Sequence, residues 1–81
     1  MKLLDQIRKI LAPVSLVDEG DINPKHNLEA DLGIDSFGTV EVVIGLEKQY
    51  DIQIMDKQIR LFATVQDVMD YVRQNAVLLE G

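Results

Sequence analysis

The chain has 81 residues, which is the size of one small domain and leaves little room for a deep enzyme cleft. It has no cysteine, so disulfides and cysteine-based metal sites are excluded, and its formal net charge of -6 disfavours nucleic acid as a partner. No signal peptide and no run of about 18 apolar residues are visible. We therefore expect a single domain over residues 1–81, in the cytoplasm, without a membrane span.

The first predicted element is an amphipathic helix over residues 2 to about 13. Its apolar residues recur at helical spacing: Leu3, Leu4, Ile7, Ile10, Leu11 and Val14. Pro13 should move Ala12 out of helical geometry and so end the helix. A long loop is then predicted from about Val14 to Asp35, because glycine, proline and asparagine recur there. We expect its apolar residues to anchor it to the core: Leu16, Val17, Ile22, Leu28 and Leu32.

Residues 36–50 alternate apolar residues as a strand would, but they also fit a helix. Fifteen uninterrupted residues exceed an ordinary strand, so a helix is favoured. The segment "YDIQIM" then looks extended, Asp56 is a candidate cap for a short helical turn over 57–61, and "TVQD" from Thr64 resembles a capping box. That box would open a last helix whose inner face is Val65, Val68, Met69 and Val72.

These elements predict an all-α fold. It would be a small antiparallel bundle of three main helices and one short helix around an aliphatic core, with a long loop between the first two helices. Because the chain has few aromatic residues, we expect Tyr50 and Phe62 to be the bulky members inside.

Ser36, in "EADLGIDSFGTVEVV", is the most informative polar residue. Serine and aspartate both favour helix starts, so Ser36 or Asp35 could be a cap. A catalytic triad is disfavoured because His26 is the only histidine and lies across a loop. A calcium loop in "DEGDINPKHNLE" is also disfavoured, because Lys25 falls where a ligand is needed.

The stretch "DLGIDSFGTVEVVIGLEKQYDIQI" strongly resembles the acyl carrier proteins. The Asp-Leu-Gly-x-Asp-Ser arrangement matches their attachment motif, and the likeness extends over nearly the whole chain. The resemblance implies a non-catalytic carrier with 4'-phosphopantetheine on Ser36, attached from coenzyme A by a phosphopantetheinyl transferase. It also implies that Asp35 engages that transferase and its metal, although no resident metal is expected. Gly33 would permit a tight turn before the serine.

Such a carrier would be a monomer that serves acyl-loading and acyl-processing enzymes. Helical spacing then puts Phe37, Glu41, Ile44 and Lys48 on one stripe of the second helix, with Glu47 beside it. We predict that this stripe is the partner-binding surface. Four apolar residues are candidates for an acyl-chain cleft, with a core role equally open: Val40, Leu46, Ile54 and Ile59.

The chain also departs from the fatty-acid carriers, which usually have leucine and an acid where Phe37 and Gly38 stand. Lys48, Lys57 and Arg60 further reduce the acidity of the predicted surface. A specialised carrier is therefore expected, for acyl intermediates of a fatty-acid, polyketide or other lipid pathway. The alternatives are an aminoacyl carrier of the D-alanyl type, because "DSFGTVE" resembles theirs, and a cofactor-free interaction module of the same fold.

Overall fold

The computed structural model describes residues 2–76, and this part of the chain contains four α-helices. They are α1 (Leu3–Leu11), α2 (Ser36–Tyr50), α3 (Asp56–Ile59) and α4 (Val65–Asn75). Helix α1 packs against both α2 and α4. The predicted all-α bundle of three main helices plus a short one, with its long loop after α1, is confirmed. The domain prediction extends to residues 1 and 77–81, which lie outside the described residues.

Helix α1 forms because its apolar residues repeat every fourth position and bury one face. Leu3, Ile7 and Leu11 are buried along that face. The predicted end at Pro13 needs correction, because Ala12 keeps helical dihedral angles (φ -53°, ψ -43°). The chain instead tightens into a 3-10 turn over Ala12–Val14. Proline is tolerated there because the N–H that it lacks would have no helical partner in a first turn.

The long loop supplies much of the core although it contains only two short 3-10 turns. Four of its side chains are buried: Ile22, Leu28, Leu32 and Ile34. Burying a side chain of this kind stabilises the fold by about 1.5–3 kcal/mol. The loop is also tied to α1, because Arg8 Nε donates a hydrogen bond of 2.7 Å to the Ile22 carbonyl. The predicted anchoring is thus confirmed for Ile22, Leu28 and Leu32, while Val17 is half-buried.

Leu16 was expected to anchor the loop, and this prediction is wrong, since its side chain is 86% exposed. Hydrogen bonds of the surrounding backbone explain the outcome. The Leu16 N–H donates to the Leu32 carbonyl at 2.8 Å. Ser15 Oγ accepts from the Val17 N–H at 2.9 Å and so closes a turn around Leu16. The backbone of Leu16 is therefore bound while its side chain lies outside.

Helix α2 covers the residues predicted for it, from Ser36 to Tyr50. It can approach α1 closely because it carries glycine at the contact. A Cβ added to Gly45 would lie 3.1 Å from Ile10 Cγ2. The helix ends at Asp51, which adopts the left-handed conformation (φ 53°) common at helix ends. Tyr50 is half-buried rather than enclosed, and its hydroxyl donates to Gln6 Oε1 at 2.7 Å. Partial burial raises the pKa of this hydroxyl.

The part of the chain that follows α2 is more irregular than the part before it. Helix α3 begins at Asp56, with Met55 rather than Asp56 in the capping position, and it ends at Ile59 instead of 61. The segment before it forms no ladder, and among the described residues the single β-bridge joins Asn27 to Thr64. Phe62, also expected inside, is half-buried and packs edge-on against Tyr71 with ring centroids 5.5 Å apart. An edge-to-face contact of this kind stabilises the packing of α4 on the preceding loop.

The predicted capping box at the start of α4 is confirmed. Thr64 Oγ1 accepts from the Asp67 N–H at 3.2 Å, and Asp67 Oδ2 accepts from the Thr64 N–H at 3.0 Å. Asp67 Oδ2 also accepts from the Ala63 N–H at 2.9 Å. The predicted inner face is buried: Val65, Val68, Met69 and Val72.

Candidate functional site

A tightly hydrogen-bonded segment of the long loop positions the start of α2. Asn27 Oδ1 accepts from the Glu29 and Ala30 N–H groups at 3.0 and 2.8 Å, and Asp31 Oδ2 accepts from the Asn27 N–H at 2.7 Å. The Ile34 N–H then donates to the Leu28 carbonyl at 2.9 Å. Because Leu28 and Ile34 are also buried, the backbone that leads into α2 is held in place.

Gly33 makes the sharp change of direction just before the helix. Its φ of +69° lies in the left-handed region, which side chains with a Cβ rarely adopt. The Leu16 side chain covers this glycine so closely that an added Cβ would lie 2.6 Å from Leu16 Cδ1. The predicted turn at Gly33 is therefore present, and an exposed leucine from a distant part of the loop lies against it.

Asp35, not Ser36, caps α2. Its Oδ1 accepts from the Gly38 N–H at 2.8 Å, and its carbonyl accepts from the Thr39 hydroxyl at 2.9 Å. Of the two caps that the sequence left open, the structure thus selects the aspartate. Ser36 occupies the first position of the helix and is exposed. Its hydroxyl makes no hydrogen bond within residues 2–76, so it is available to a reagent from solution.

The start of α2 has donors to spare for an anion. The backbone N–H groups of Ser36 and Phe37 have no partner in the described part of the chain. Unpaired N–H groups and the positive end of the helix dipole both favour a phosphate group. A phosphodiester on Ser36 would therefore be placed beside two free donors, at a hydroxyl that nothing covers. The residues present fit a phosphate-linked arm.

The predicted stripe on α2 faces outward along its whole length. Phe37 is 83% exposed, Ile44 is 41% exposed, and both Glu41 and Lys48 are exposed. Glu47 differs from the others, because its Oε2 accepts from the Ile54 N–H at 3.0 Å. That hydrogen bond holds the chain that leaves α2. The partner-binding role of all five residues stays a prediction, and for Glu47 the structure adds a local structural role.

The four residues predicted to line an acyl cleft do not share one environment. Leu46 and Ile54 are buried in the core, and Ile59 is half-buried against it. Val40, by contrast, is 56% exposed on α2. Their role as a cleft stays a prediction.

Two concavities lie at the start of α2. The first has a volume of about 310 Å³ and lies between the long loop, the first turns of α2 and the residues just before α4, with Asn27, Glu29 and Thr39 as the polar residues of its wall. The second has a volume of about 590 Å³ and lies between the end of the 3-10 turn after α1 and the start of α2. Its wall includes Val14, which the sequence had suggested only as a helix residue.

Sequence reasoning missed Val14 as a neighbour of Gly38 and Leu16 as a neighbour of Gly33, on the two sides of the serine. Val14 fitted the apolar period of α1, and Leu16 resembled the other apolar loop residues, so neither carried a signal of its own. Their position follows from the turn at Ser15 and the close approach at Gly33, which bring the loop back to the start of α2.

No helix within residues 2–76 is long and apolar enough to span a bilayer. Across the same residues, no three histidine, aspartate or glutamate side chains gather as a metal site would require.

Comparison with solved structures supports a carrier fold. One similar structure contains a carrier protein from Agrobacterium tumefaciens in complex with an engineered Bradyrhizobium japonicum glycine:[carrier protein] ligase and AMP. The match has 28% identity and a TM-score of 0.76, and it covers 88% of this chain and 99% of the other. A second structure, of the corresponding complex with ATP, matches at 26% identity and a TM-score of 0.77, covering 90% and 99%.

The family model described as "Phosphopantetheine attachment site" matches residues 5–72. That range includes all four helices except the ends of α1 and α4, and it includes Ser36 with the whole of α2. Because the match spans most of its length, the chain belongs to the phosphopantetheine attachment site family, whose domains carry covalently attached 4'-phosphopantetheine.

Proposed function

We propose that Ser36 carries the 4'-phosphopantetheine arm and that the protein holds an amino acid on it as a thioester. The observation that carries the first part is the exposed Ser36 hydroxyl at the start of α2, beside the two N–H groups that have no partner in residues 2–76. The arm, when present, supplies a terminal thiol, and the chain contributes none because it lacks cysteine.

In arm attachment, Ser36 Oγ forms a bond to the pantetheine-linked phosphorus of coenzyme A, and adenosine 3',5'-bisphosphate leaves. The hydroxyl proton passes to a base of the transferase. Asp35 keeps the serine at the first position of α2, because its Oδ1 accepts a hydrogen bond from the Gly38 N–H. Its second carboxylate oxygen has no hydrogen bond within residues 2–76 and can face the transferase and its metal.

An amino acid is favoured as cargo by two observations. The two similar carrier structures described above are complexes with a glycine:[carrier protein] ligase. The wall of the concavity beside Thr39 mixes apolar residues with the polar side chains of Asn27, Glu29 and Thr39, whereas Leu46 and Ile54 of the proposed acyl cleft are buried in the core. The polar side chains of that wall could accept or donate hydrogen bonds to a small polar cargo. An acyl intermediate of a lipid or polyketide pathway is the second candidate, favoured by the apolar residues exposed on α2.

The partners that follow are a phosphopantetheinyl transferase and an ATP-dependent ligase that loads the arm. The stripe of Phe37, Glu41, Ile44 and Lys48 would meet them, and binding should be weak enough for the carrier to leave each enzyme. We also propose that the protein is a cytoplasmic monomer over the single domain 1–81 and performs no chemistry of its own.

Arm attachment is tested by incubation with coenzyme A and a promiscuous transferase, followed by intact mass spectrometry. We expect the wild type to gain the mass of one arm and Ser36→Ala to gain none. Ser15→Ala is a matched control, because Ser15 is the only other serine in the chain, and it should be modified like the wild type. An unmodified wild type, or a mass gain that survives Ser36→Ala, would contradict the proposal.

The cargo is tested separately on protein purified from its native host under conditions that preserve thioesters. The mass added beyond the arm should equal an aminoacyl group and disappear after hydroxylamine treatment. An added mass that corresponds to a fatty or polyketide acyl group would select the second candidate instead.

A further inference from the structure

Helix α3 and the turn after it present an outward face that is both basic and apolar. None of the residues of α3 is buried. Lys57 and Arg60 are exposed, and the neighbouring side chain of Leu61 is 68% exposed. The turn continues past the helix, because the Leu61 N–H donates to the Gln58 carbonyl at 3.0 Å. Spacings of three and four residues therefore put Lys57, Arg60 and Leu61 on one face, which we call the α3 patch.

The two cations of the α3 patch are available to a partner. Neither Lys57 nor Arg60 forms an ion pair or a hydrogen bond within residues 2–76. Asp56 lies four residues before Arg60, at a spacing where helical ion pairs form, yet these two side chains are not paired. Over residues 55–63, two cations and one acid give a net charge of +1, whereas the whole chain has -6. The patch therefore attracts acidic groups, although the rest of the chain favours basic ones.

The concavity beside Thr39 lies between the end of the α3 patch and helix α2. Phe62 and Ala63, which follow Leu61 directly, belong to its wall, and Thr39 contributes to that wall from α2. An enzyme that forms a bond to Ser36 Oγ must cover the start of α2, but it need not reach across the concavity to the patch. An enzyme that acts on the thiol at the far end of the arm can contact the patch and leave Ser36 uncovered.

We propose that the α3 patch binds an acidic surface with an apolar depression on the ATP-dependent ligase that loads the arm. The inference rests on the proposed function, which places that ligase at the thiol. Unpaired cations beside an exposed leucine are complementary to carboxylates around an apolar pocket. Nucleic acid and anionic lipid also attract cations, but the net charge of -6 would repel both. The patch thus gives the ligase a contact that the transferase does not need.

The test measures how fast purified holo-protein gains cargo in a desalted extract of its native host, supplied with ATP and amino acids, by intact mass spectrometry. Lys57→Glu/Arg60→Glu should raise the apparent KM for the holo-protein about tenfold at low salt and less at high salt, because exposed charge pairs are screened. The matched control is Lys25→Glu/Arg73→Glu. It makes the same change of charge at exposed positions outside the patch and should leave KM nearly unchanged.

Leu61→Ser tests the apolar part of the α3 patch. It should raise the apparent KM about fivefold at both salt concentrations, because the loss of an apolar contact is not screened. Both patch variants should accept the arm from coenzyme A and a promiscuous transferase with the KM of the wild type. Circular dichroism and thermal melting verify that each variant is folded.

Three results would overturn the α3 patch while leaving the proposed function intact. The first is a loading KM for Lys57→Glu/Arg60→Glu equal to that of the control pair. The second is a raised KM for arm transfer in the patch variants, which would assign the patch to the transferase. The third is binding of the wild type to vesicles that contain phosphatidylglycerol, lost in the double variant, which would assign it to a membrane. A wild type that accepts no arm, or that the extract does not load, would overturn the proposed function as well.

Discussion

Helices α2 and α4 both follow a polar capping residue that accepts from the third N–H of the helix, but their first two N–H groups differ. At α4, the first three N–H groups are all paired: Val65 donates to the His26 carbonyl, Gln66 to the Pro24 carbonyl and Asp67 to Thr64 Oγ1. At α2, only the third N–H, from Gly38, is paired, and its acceptor is Asp35. The fold therefore closes one helix start with its own loop and leaves the other with donors facing solvent.

This difference suggests that the start of α4 serves the stability of the fold, whereas the start of α2 serves binding. Pairing every donor stabilises a helix end, since an orphan N–H away from water is costly. Leaving donors at the exposed start of α2 costs little because water reaches them, and it keeps that end ready for a phosphate. Four predictions test this contrast, beginning with the largest expected effect.

The first prediction gives α2 the third-position acid of α4 through Gly38→Asp. Although an acid at this position completes a capping box in α4, the added Cβ would lie 2.9 Å from Ile34 Cγ2 in α2. We expect crowding to dominate and to lower the free energy of unfolding by about 2–3 kcal/mol. Urea denaturation measures the change. Gly20→Asp is the control, because nothing lies within 4 Å of a Cβ added there. Stabilisation by Gly38→Asp would show that packing does not exclude a box in α2.

The second prediction removes the box from α4 through Asp67→Ala. The Ala63 and Thr64 N–H groups would lose their acceptor, and the free energy of unfolding should fall by about 1–2 kcal/mol. Urea denaturation again gives the value, with Asp70→Ala as the control because, within residues 2–76, its carboxylate accepts only from the Gln66 side chain. An equal loss in the two variants would mean that the box has no special role.

The third prediction concerns the stability of the fold at low pH. Hydrogen bonds from the Ala63 and Thr64 backbone N–H groups lower the pKa of Asp67 below its ordinary value of 3.8. Because the folded pKa is the lower one, the stabilisation is complete above the ordinary value and is lost as the pH falls through the folded pKa. Asp67→Asn should therefore make the urea midpoint less dependent on pH below about pH 4. An unchanged acid slope in Asp67→Asn would remove Asp67 as the cause.

The fourth prediction concerns the unpaired donors of α2. A phosphodiester on Ser36 lies beside the Ser36 and Phe37 N–H groups, and an anion at a helix start contributes about 0.3–1 kcal/mol. The holo-form should therefore melt slightly higher than the apo-form at low ionic strength, and the difference should shrink in high salt. Differential scanning calorimetry of the two forms compares them directly. A holo-form that melts lower in both conditions would contradict a favourable phosphate environment.

The sequence predicted the helices well because each carries a local signal. The length of the apolar run defined α2, and the spacing of Thr64 and Asp67 defined the start of α4, with both elements observed as expected. Leu16 was placed wrongly because a loop has no period from which to infer which side chains are buried. Its orientation depends on a hydrogen bond to the distant Leu32 carbonyl.

The candidate site shows the same difference between features with a local sequence signal and features without one. Ser36, Asp35 and Gly33 belong to one local motif, so their positions could be anticipated from the printed sequence. The concavity beside Val14 could not be anticipated, because Val14 and Val40 come together only after the loop has folded back on α2. The structural use of Glu47 was missed for a similar reason, since its acceptor role depends on where the chain places the Ile54 N–H.

The pairing of the start of α4 with the long loop also bears on how the chain folds. Helix α4 has 11 residues, and isolated helices of this length are marginal in water. Its first donors are satisfied by carbonyls from Pro24 and His26, and Asn27 bridges to Thr64. The helix is therefore completed only when a segment far earlier in sequence is in place, which makes folding depend on a non-local contact. Since Leu28 in that same segment holds Ile34 before the serine, local melting at α4 would also release the attachment site.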